Sequence, residues 1–193
     1  MIGAEILILT YHVVMHEYSY KTVWPSPSED VRAAVVDFWA KESALSKGQA
    51  VGRAGQLVVV CRNTDGMVAA VSTAVPDFAR HLGLWCFYFR AFVGRAHRAR
   101  GLRGSKLIHR LIRNSYDALN ERFQQGIDPD VVGLYLDVEN PSAQRHRNEL
   151  IWTDLDANIV FVGMLPGGRH ARVWYFDHAK VPVNDQGDRR RTL

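Results

Sequence analysis

Residues 95–106, RAHRARGLRGSK, combine several positively charged side chains with glycines, whose backbone is not shielded by a Cβ atom. The stretch holds five arginine or lysine residues and His97, and Gly101 and Gly104 interrupt them. A pyrophosphate can bind such a turn, because an anion approaches the backbone N–H groups where Cβ is absent and arginines add charge-assisted bonds. A nucleic-acid ligand and a simply solvated loop are the alternatives. The stretch contains neither G-x-x-x-x-G-K-[ST] nor G-x-G-x-x-G, so the two common nucleotide-binding loops are excluded.

The basic stretch follows a predicted strand and precedes a predicted helix. Residues 84–93 form a long apolar and aromatic run between Gly83 and Gly94, which is typical of a strand. After the stretch, apolar residues recur at helical spacing over about five turns, at Leu107, Ile108, Leu111, Ile112, Leu119 and Phe123. A strand, a glycine-containing loop and a helix in this order direct the N-terminus of the helix toward a phosphate.

The remaining segments predict a mixed sheet with helices packed on it, an α/β or α+β fold. The Asp65-Gly66 turn joins two apolar runs into a β-hairpin. Ser26, Pro27 and Glu29 predict a capping box at the start of a helix that buries Val31, Val35, Phe38, Trp39 and Leu45. Further strands are predicted at 6–15, 56–62, 67–75, 131–138, 158–165 and 171–178, a loop at 46–55, and a helix within 140–152.

Composition indicates an ordinary globular protein. The 193 residues are 47% hydrophobic and 23% charged, with a formal net charge of +4, which favours an anionic ligand without by itself indicating a nucleic-acid binder. We expect a single domain over residues 1–180 and a polar, disordered tail over 181–193. The sequence shows no signal peptide and no membrane span, so a soluble, cytoplasmic protein is expected. Cys61 and Cys86 are expected to be buried thiols, and no metal site is expected.

The basic stretch resembles the acyl-CoA loop of the GCN5-related N-acetyltransferases, the GNAT family, whose signature is [Q/R]-x-x-G-x-[G/A]. Residues 98–102 supply the first five positions, whereas Arg103 departs from the last, and Gly104 follows one residue late. Downstream, Asn140 and Ala143 match the second motif of the family, N-x-x-A-x-x-x-Y, with Arg147 in place of the tyrosine. The order of elements also matches over about residues 5–178.

The resemblance implies a GNAT-like mixed, splayed sheet flanked by helices, and acetyl-CoA as the acyl donor. The pantetheine arm would lie between the fourth and fifth strands, and the pyrophosphate would lie on the loop. Asn140 would bind the arm, or cap a helix, or do both. The residues implied in cofactor binding are Phe92, Val93, Arg98, Arg100, Gly101, Leu102, Arg103, Gly104, Ser105 and Asn140.

The implied activity is N-acylation of an unidentified small-molecule or peptide amine. The family often keeps a glutamate base in the fourth strand, but that position falls near Phe87 here. The candidate catalytic residues are therefore Arg147, Tyr135 and Asp137. Arg147 stays protonated, so it would stabilise the leaving thiolate without donating a proton. The alternatives are a protein of this fold that binds CoA without catalysis and, less favoured, a nucleic-acid binder. The sequence permits a homodimer and indicates no membrane partner.

Several ionisable residues near the implied cleft have two interpretations each. Arg90 lies in an aromatic strand, so it either pairs with Asp137 or Glu139 or receives an acidic group of the substrate. Tyr88 and Tyr135 are core aromatics or proton donors. Asp137 and Glu139 share one side of a strand, as a base or as a solvated strand end. The histidines His97, His109 and His146 are expected to be exposed.

Overall fold

The computed structural model describes residues 18–98, 102–153 and 157–181, and of residues 102–106 it describes the backbone alone. The predicted strand at 6–15, the loop residues Arg100 and Gly101, and the tail from residue 182 therefore lie outside the described residues.

Eight strands form one mixed sheet in the described part of the chain. Their spatial order is β1-β2-β3-β4-β5-β8-β7-β6, and only β4 and β5 run parallel to each other. The predicted α+β class with a mixed sheet and flanking helices is confirmed. The strands are β1 (Tyr18–Thr22), β2 (Leu57–Asn63), β3 (Val68–Ala79), β4 (Leu84–Val93), β5 (Val131–Val138), β6 (Ile151–Trp152), β7 (Ile159–Leu165) and β8 (Arg169–Tyr175).

In the described ranges, four α-helices accompany the sheet, namely α1 (Glu29–Lys41), α2 (Lys47–Ala54), α3 (Leu102–Gln124) and α4 (Pro141–His146). Helix α3 covers one face of the sheet, where its Leu107 and Leu111 pack with Phe87 and Leu134. Helices α1 and α2 cover part of the opposite face, where Trp39 packs in a cluster with sheet residues such as Val71 and Phe92. The rest of that face, around Cys86 and Tyr135, is left for a cleft.

Strands β4 and β5 separate toward their carboxyl ends, as the resemblance implied. Their last paired residues are Phe89 and Leu136, after which no further β4–β5 pair is found in the described chain. Each strand nevertheless stays paired on its other side, β4 with β3 as far as Val93 and β5 with β8 as far as Val138. The sheet therefore carries a gap that opens beside residues 90–93 and faces the loop leading into α3.

Three predicted elements are wrong. The helix α1 begins at Glu29 with Ser28 as its N-cap, and Ser28 makes no side-chain capping bond, so the capping box at Ser26 does not form. Residues 47–54 are helical rather than a loop, because Ser46 and Gln49 form a capping box that outweighs the glycines. Helix α4 ends at His146 rather than near residue 152, where the chain turns into β6.

Candidate functional site

A cleft of about 270 Å³ opens on the face of the sheet opposite α3. Its floor is formed by β4 and β5, whose alternating side chains place Cys86 and Tyr88 of β4 beside Tyr135 and Asp137 of β5. Two turns form its rim, the β3–β4 turn and the β7–β8 turn. The other lining residues are Asp77, Phe78, Ala79, Arg80, His81, Leu165 and Arg169.

Asp137 is the buried carboxylate of this cleft, with only 6% of its side chain exposed. Its Oδ2 accepts hydrogen bonds from Arg169 Nη1 at 2.6 Å and from the Tyr88 hydroxyl at 3.2 Å. Its Oδ1 is buried and has no hydrogen-bond partner in the described structure. A buried carboxylate oxygen without a donor is costly, so Oδ1 is an acceptor that the described residues leave unsatisfied.

Two tyrosines line the cleft beside this carboxylate. The rings of Tyr88 and Tyr135 lie 5.8 Å apart, and the ring of His81 lies 5.6 Å from that of Tyr135. Burial, followed by the charge of Asp137, raises the pKa of Tyr135 to about 12. The same two causes, in the same order, raise the pKa of Tyr88. Both phenols therefore carry their protons at neutral pH and can act as donors.

Arg169 is one of the cleft residues to which the sequence assigned no individual role. It lies at the start of β8, pairs with Asp137, and lies 3.9 Å from a carboxylate oxygen of Glu139. Its position depends on the antiparallel pairing of β5 with β8, in which Asp137 lies opposite Ala171. A separation of 32 residues along the chain gave no local signal of this contact.

Arg90 does not pair with Asp137 or Glu139, so the predicted salt bridge is wrong. Its guanidinium carbon lies 4.0 Å from the centre of the Tyr88 ring, and no salt bridge to it is found among the described carboxylates. The salt bridge to Asp137 is made by Arg169 instead, because β8, rather than β4, brings a cation to Oδ2 of that carboxylate. The other interpretation of Arg90, that it receives an acidic group of the substrate, stays a prediction.

The end of β4 presents backbone groups to the gap between β4 and β5. The amide of Gly94 donates to Ala69 on the β3 side, so by the alternation of an antiparallel ladder Phe92 also bonds toward β3, whereas Ala91 and Val93 face the gap. The side chain of Phe92 packs against Phe38 of α1 at 5.7 Å between ring centres. Of the two implied positions, Val93 therefore directs its backbone into the gap and Phe92 does not.

Arg98 folds back onto this end of the strand. Its Nε donates to the carbonyl of Val93 at 2.7 Å, and its guanidinium lies 5.0 Å from the centre of the Phe92 ring. The loop then passes through residues 99–101, which lie outside the described part, and α3 begins at Leu102. The implied loop residues Leu102, Arg103, Gly104 and Ser105 thus form the first turn of α3, where backbone N–H groups have no partner within the helix.

Asn140 lies at the entrance to α4 and caps it. Its Oδ1 accepts from the amide of Ser142 at 2.9 Å, and Pro141 follows at the first helical position. The helix-cap interpretation therefore agrees with the structure, and binding of the cofactor arm stays a prediction.

Arg147 lies away from the cleft, at the end of α4. Its guanidinium lies 4.4 Å from the ring centre of Trp152, and Arg172 lies over the same ring at 3.9 Å. Arg172 faces the α3 side of the sheet, because its partner Leu136 packs there, whereas Tyr135 and Asp137 point to the other side. The structure therefore brings Tyr135 and Asp137 together and does not bring Arg147 to them.

The remaining predictions have mixed outcomes. Cys61 and Cys86 are buried free thiols, as expected, and burial raises the pKa of each to about 11. His146 is exposed, but His97 and His109 are half-buried, and the Tyr18 hydroxyl lies 3.0 Å from His97 Nδ1. Within the described ranges, no group of three metal-ligating side chains occurs. None of the described helices combines the length and apolar composition needed to cross a membrane.

Neither a protein-family model nor a curated protein matches the chain, but solved structures do. A GNAT-family acetyltransferase from Listeria monocytogenes is 15% identical, with 82% of this chain and 94% of that chain covered and a TM-score of 0.48. The ribosomal-protein-S18-alanine N-acetyltransferase from Escherichia coli is 12% identical, with 87% and 97% covered and a TM-score of 0.47. A GCN5-related N-acetyltransferase from Kribbella flavida is 15% identical, with 82% and 96% covered and a TM-score of 0.46.

Proposed function

We propose that this chain is an N-acyltransferase that moves the acetyl group of acetyl-CoA to an amine bound in the cleft. The observation that carries the proposal is the separation of β4 and β5 beyond Phe89 and Leu136, directly beside a buried carboxylate and two tyrosines. The gap offers unpaired strand backbone to an extended amide-containing chain, which can add to it as a strand does. The first turn of α3, at the end of a basic loop, offers N–H groups to phosphate.

The donor would be held at two places on this chain. The backbone of Ala91 and Val93 would bond the amides of the pantetheine arm. The loop at 98–101 and the start of α3 would bind the pyrophosphate, with Arg98, Arg100 and Arg103 supplying charge. Arg98 would release the carbonyl of Val93 as it turns toward the phosphates, because its Nε holds that carbonyl in the structure.

The chemistry divides between Asp137 and Tyr135. Oδ1 of Asp137 would accept an N–H of the amine and take its proton as the nitrogen attacks the thioester carbon. The C–N bond forms, the C–S bond breaks, and the electron pair of the C–S bond leaves on sulfur. Tyr135 would give its proton to that sulfur and regain one from solvent, since its raised pKa keeps it protonated. Arg147 has no part in this scheme.

A titration with two ligands tests the binding half of the proposal. Isothermal calorimetry should give a lower Kd for acetyl-CoA than for 3′,5′-ADP, because the arm adds contacts in the gap. Gly101→Val should weaken acetyl-CoA binding about tenfold or more, since a β-branched side chain blocks the approach of the phosphate to the backbone. Gly55→Val is the matched control, because a Cβ at Gly55 meets nothing within 4 Å. Equal affinity for the two ligands would contradict a donor site in the gap.

Release of free CoA over a panel of amines tests the catalytic half. Turnover supports the transferase, whereas tight acetyl-CoA binding with no turnover on any amine would favour a protein that binds CoA without catalysis. Binding to nucleic acid with a steep dependence on salt, and none to acetyl-CoA, would instead favour the nucleic-acid alternative.

A further inference from the structure

Arg90 is a half-buried cation without a counterion among the described residues, and it lies at the point where β4 and β5 separate. It is the first residue of β4 beyond the last β4–β5 pair, Phe89 with Leu136. Its guanidinium lies over the ring of Tyr88, and none of the described carboxylates is within salt-bridge distance of it. Partly buried charges are normally paired, because desolvation without a partner is unfavourable. An anion placed here would supply the missing partner.

Arg53 is a second cation, and its pKa responds to the charge of Arg90. It lies in the last turn of α2 and is half-buried. Burial and, after it, the positive charge of Arg90 lower the pKa of Arg53. The negative charge of Glu139 acts in the opposite direction and raises it.

The complementary group lies at the other end of one tyrosine. The ring of Tyr88 lies under Arg90, while its hydroxyl donates to Oδ2 of Asp137. The neighbouring Oδ1 is a buried acceptor that has no donor among the described residues. A cation-binding point and an anion-binding point are therefore separated by the length of a single side chain.

Arg169 cannot serve as the anion-binding point in place of Arg90. Its guanidinium already pairs with Asp137 at 2.6 Å and lies 3.9 Å from Glu139. An arriving anion would have to compete with two carboxylates for it. Arg90 faces no such competition from the described residues.

We propose that the acceptor is an amine that also carries an oxyanion, such as an amino acid, with Arg90 binding the oxyanion and Asp137 binding the nitrogen. The inference rests on the proposed function and specifies its substrate class. It makes Arg90 a specificity-determining residue. Arginine suits the role because its planar fork binds a carboxylate or a phosphonate through two parallel hydrogen bonds.

Matched pairs of amines test the substrate class. The probes are the L-amino acids, their C-terminal amides, and aminoalkylphosphonates with the same carbon skeleton. Two measurements are made on each probe. NMR line broadening reports its binding to the protein saturated with CoA, and an assay with acetyl-CoA reports its acetylation. At least one acid should bind about tenfold more tightly than its amide, because the amide forfeits the charge-assisted contact. Comparison of the aminoalkylphosphonates with the amino acids shows whether the site prefers a tetrahedral oxyanion or a carboxylate.

Three variants connect that preference to Arg90. Arg90→Gln should remove the advantage of the acid over its amide by raising the KM of the acid about tenfold, with the KM of the amide changed by less than about twofold. Arg90→Lys should restore part of the advantage, since the charge returns without the fork. Arg145→Gln, an exposed arginine of α4, is the matched control and should change neither KM.

Two results would overturn the inference. One is a panel in which no acid or phosphonate binds better than its amide, and the binding measurement gives this result whether or not acetyl-CoA is turned over. The other is an Arg90→Gln protein that loses acid and amide equally. Either result leaves the proposed function intact if acetyl-CoA binds and some amine is acetylated, whereas failure of acetyl-CoA to bind contradicts the proposed function alone.

Discussion

The guanidinium of Arg169 donates to Oδ2 of Asp137 at 2.6 Å, and this bond leaves Oδ1 of the same carboxylate buried and without a donor in the described structure. The pair has two consequences. The ion pair orients the carboxylate so that Oδ2 is satisfied by the protein, whereas Oδ1 has no donor among the described residues. It also places a cation against a side chain that is only 6% exposed.

Asp137→Asn should lower kcat by about two orders of magnitude or more, because the amide cannot take a proton from the attacking amine. The Kd of acetyl-CoA should change by less than twofold, since Asp137 lies outside the donor gap. Stopped-flow measurement of CoA release, with calorimetry of acetyl-CoA, checks both. Asp117→Asn is the control, an exposed carboxylate on α3. A kcat that stays within threefold of the original would remove Asp137 as the base.

Tyr135→Phe should lower kcat by about tenfold to a hundredfold, because the thiolate then leaves without a proton donor. Since burial and the nearby Asp137 raise the pKa of Tyr135 to about 12, the phenol stays protonated through the usual assay range. The pH–rate profile of the unaltered protein should therefore show no falling limb from this group below about pH 11. Tyr175→Phe, at the exposed end of β8, is the control. A falling limb near pH 9 that Tyr135→Phe abolishes would contradict the raised pKa.

Arg147→Ala should change kcat by less than about threefold, because the guanidinium lies over Trp152 and away from Tyr135 and Asp137. It should instead lower the free energy of unfolding by about 1 kcal/mol through the lost cation–π contact. Urea denaturation and steady-state kinetics on the same preparation separate the two effects. A tenfold loss of kcat with unchanged stability would return Arg147 to the role that the family motif implied.

Gly133→Ala should destabilise the fold by several kcal/mol, because an added Cβ would lie 2.5 Å from the carbonyl oxygen of Trp174 on the neighbouring strand. Gly48→Ala gives the opposite expectation. A Cβ there meets nothing within 4 Å, and alanine favours the helix α2 by about 0.5 to 1 kcal/mol. Guanidinium denaturation of the two variants checks the sign of each. A Gly133→Ala protein as stable as the original would mean that β5 and β8 are not as close as described.

Local sequence signals predicted the elements that depend on local chemistry. The Asp-Gly turn placed the hairpin of β2 and β3, and the apolar spacing of Leu107, Leu111 and Leu119 placed α3. Helix α2 was missed because Gly48 and Gly52 lower its helical propensity. A usable signal was present, since Ser46 and Gln49 have the spacing of a capping box.

The site was predictable only in part, because some of its residues are neighbours on one strand and others are far apart in the sequence. Tyr135 and Asp137 share a strand, so their common face follows from alternation. The contact of Asp137 with Arg169 depends on which strand lies beside β5, and that is decided by the packing of the whole sheet. A related reason explains why Arg147 does not lie beside Tyr135 and Asp137. A motif match fixes the position of a residue in the sequence but not the direction of its side chain, and the guanidinium of Arg147 lies over the ring of Trp152.

The gap between β4 and β5 also sets how the sheet exchanges its amide hydrogens with solvent. Phe89 is the last residue of β4 with a partner on β5, whereas Ala91 and Val93 have none in the described chain. In deuterated water the amides of Ala91 and Val93 should therefore label early, although they sit within a strand that is paired along its other side. An extended ligand lying in the gap would slow that labelling, so the rate of deuterium uptake at two residues reports its occupancy directly, without any measurement of turnover.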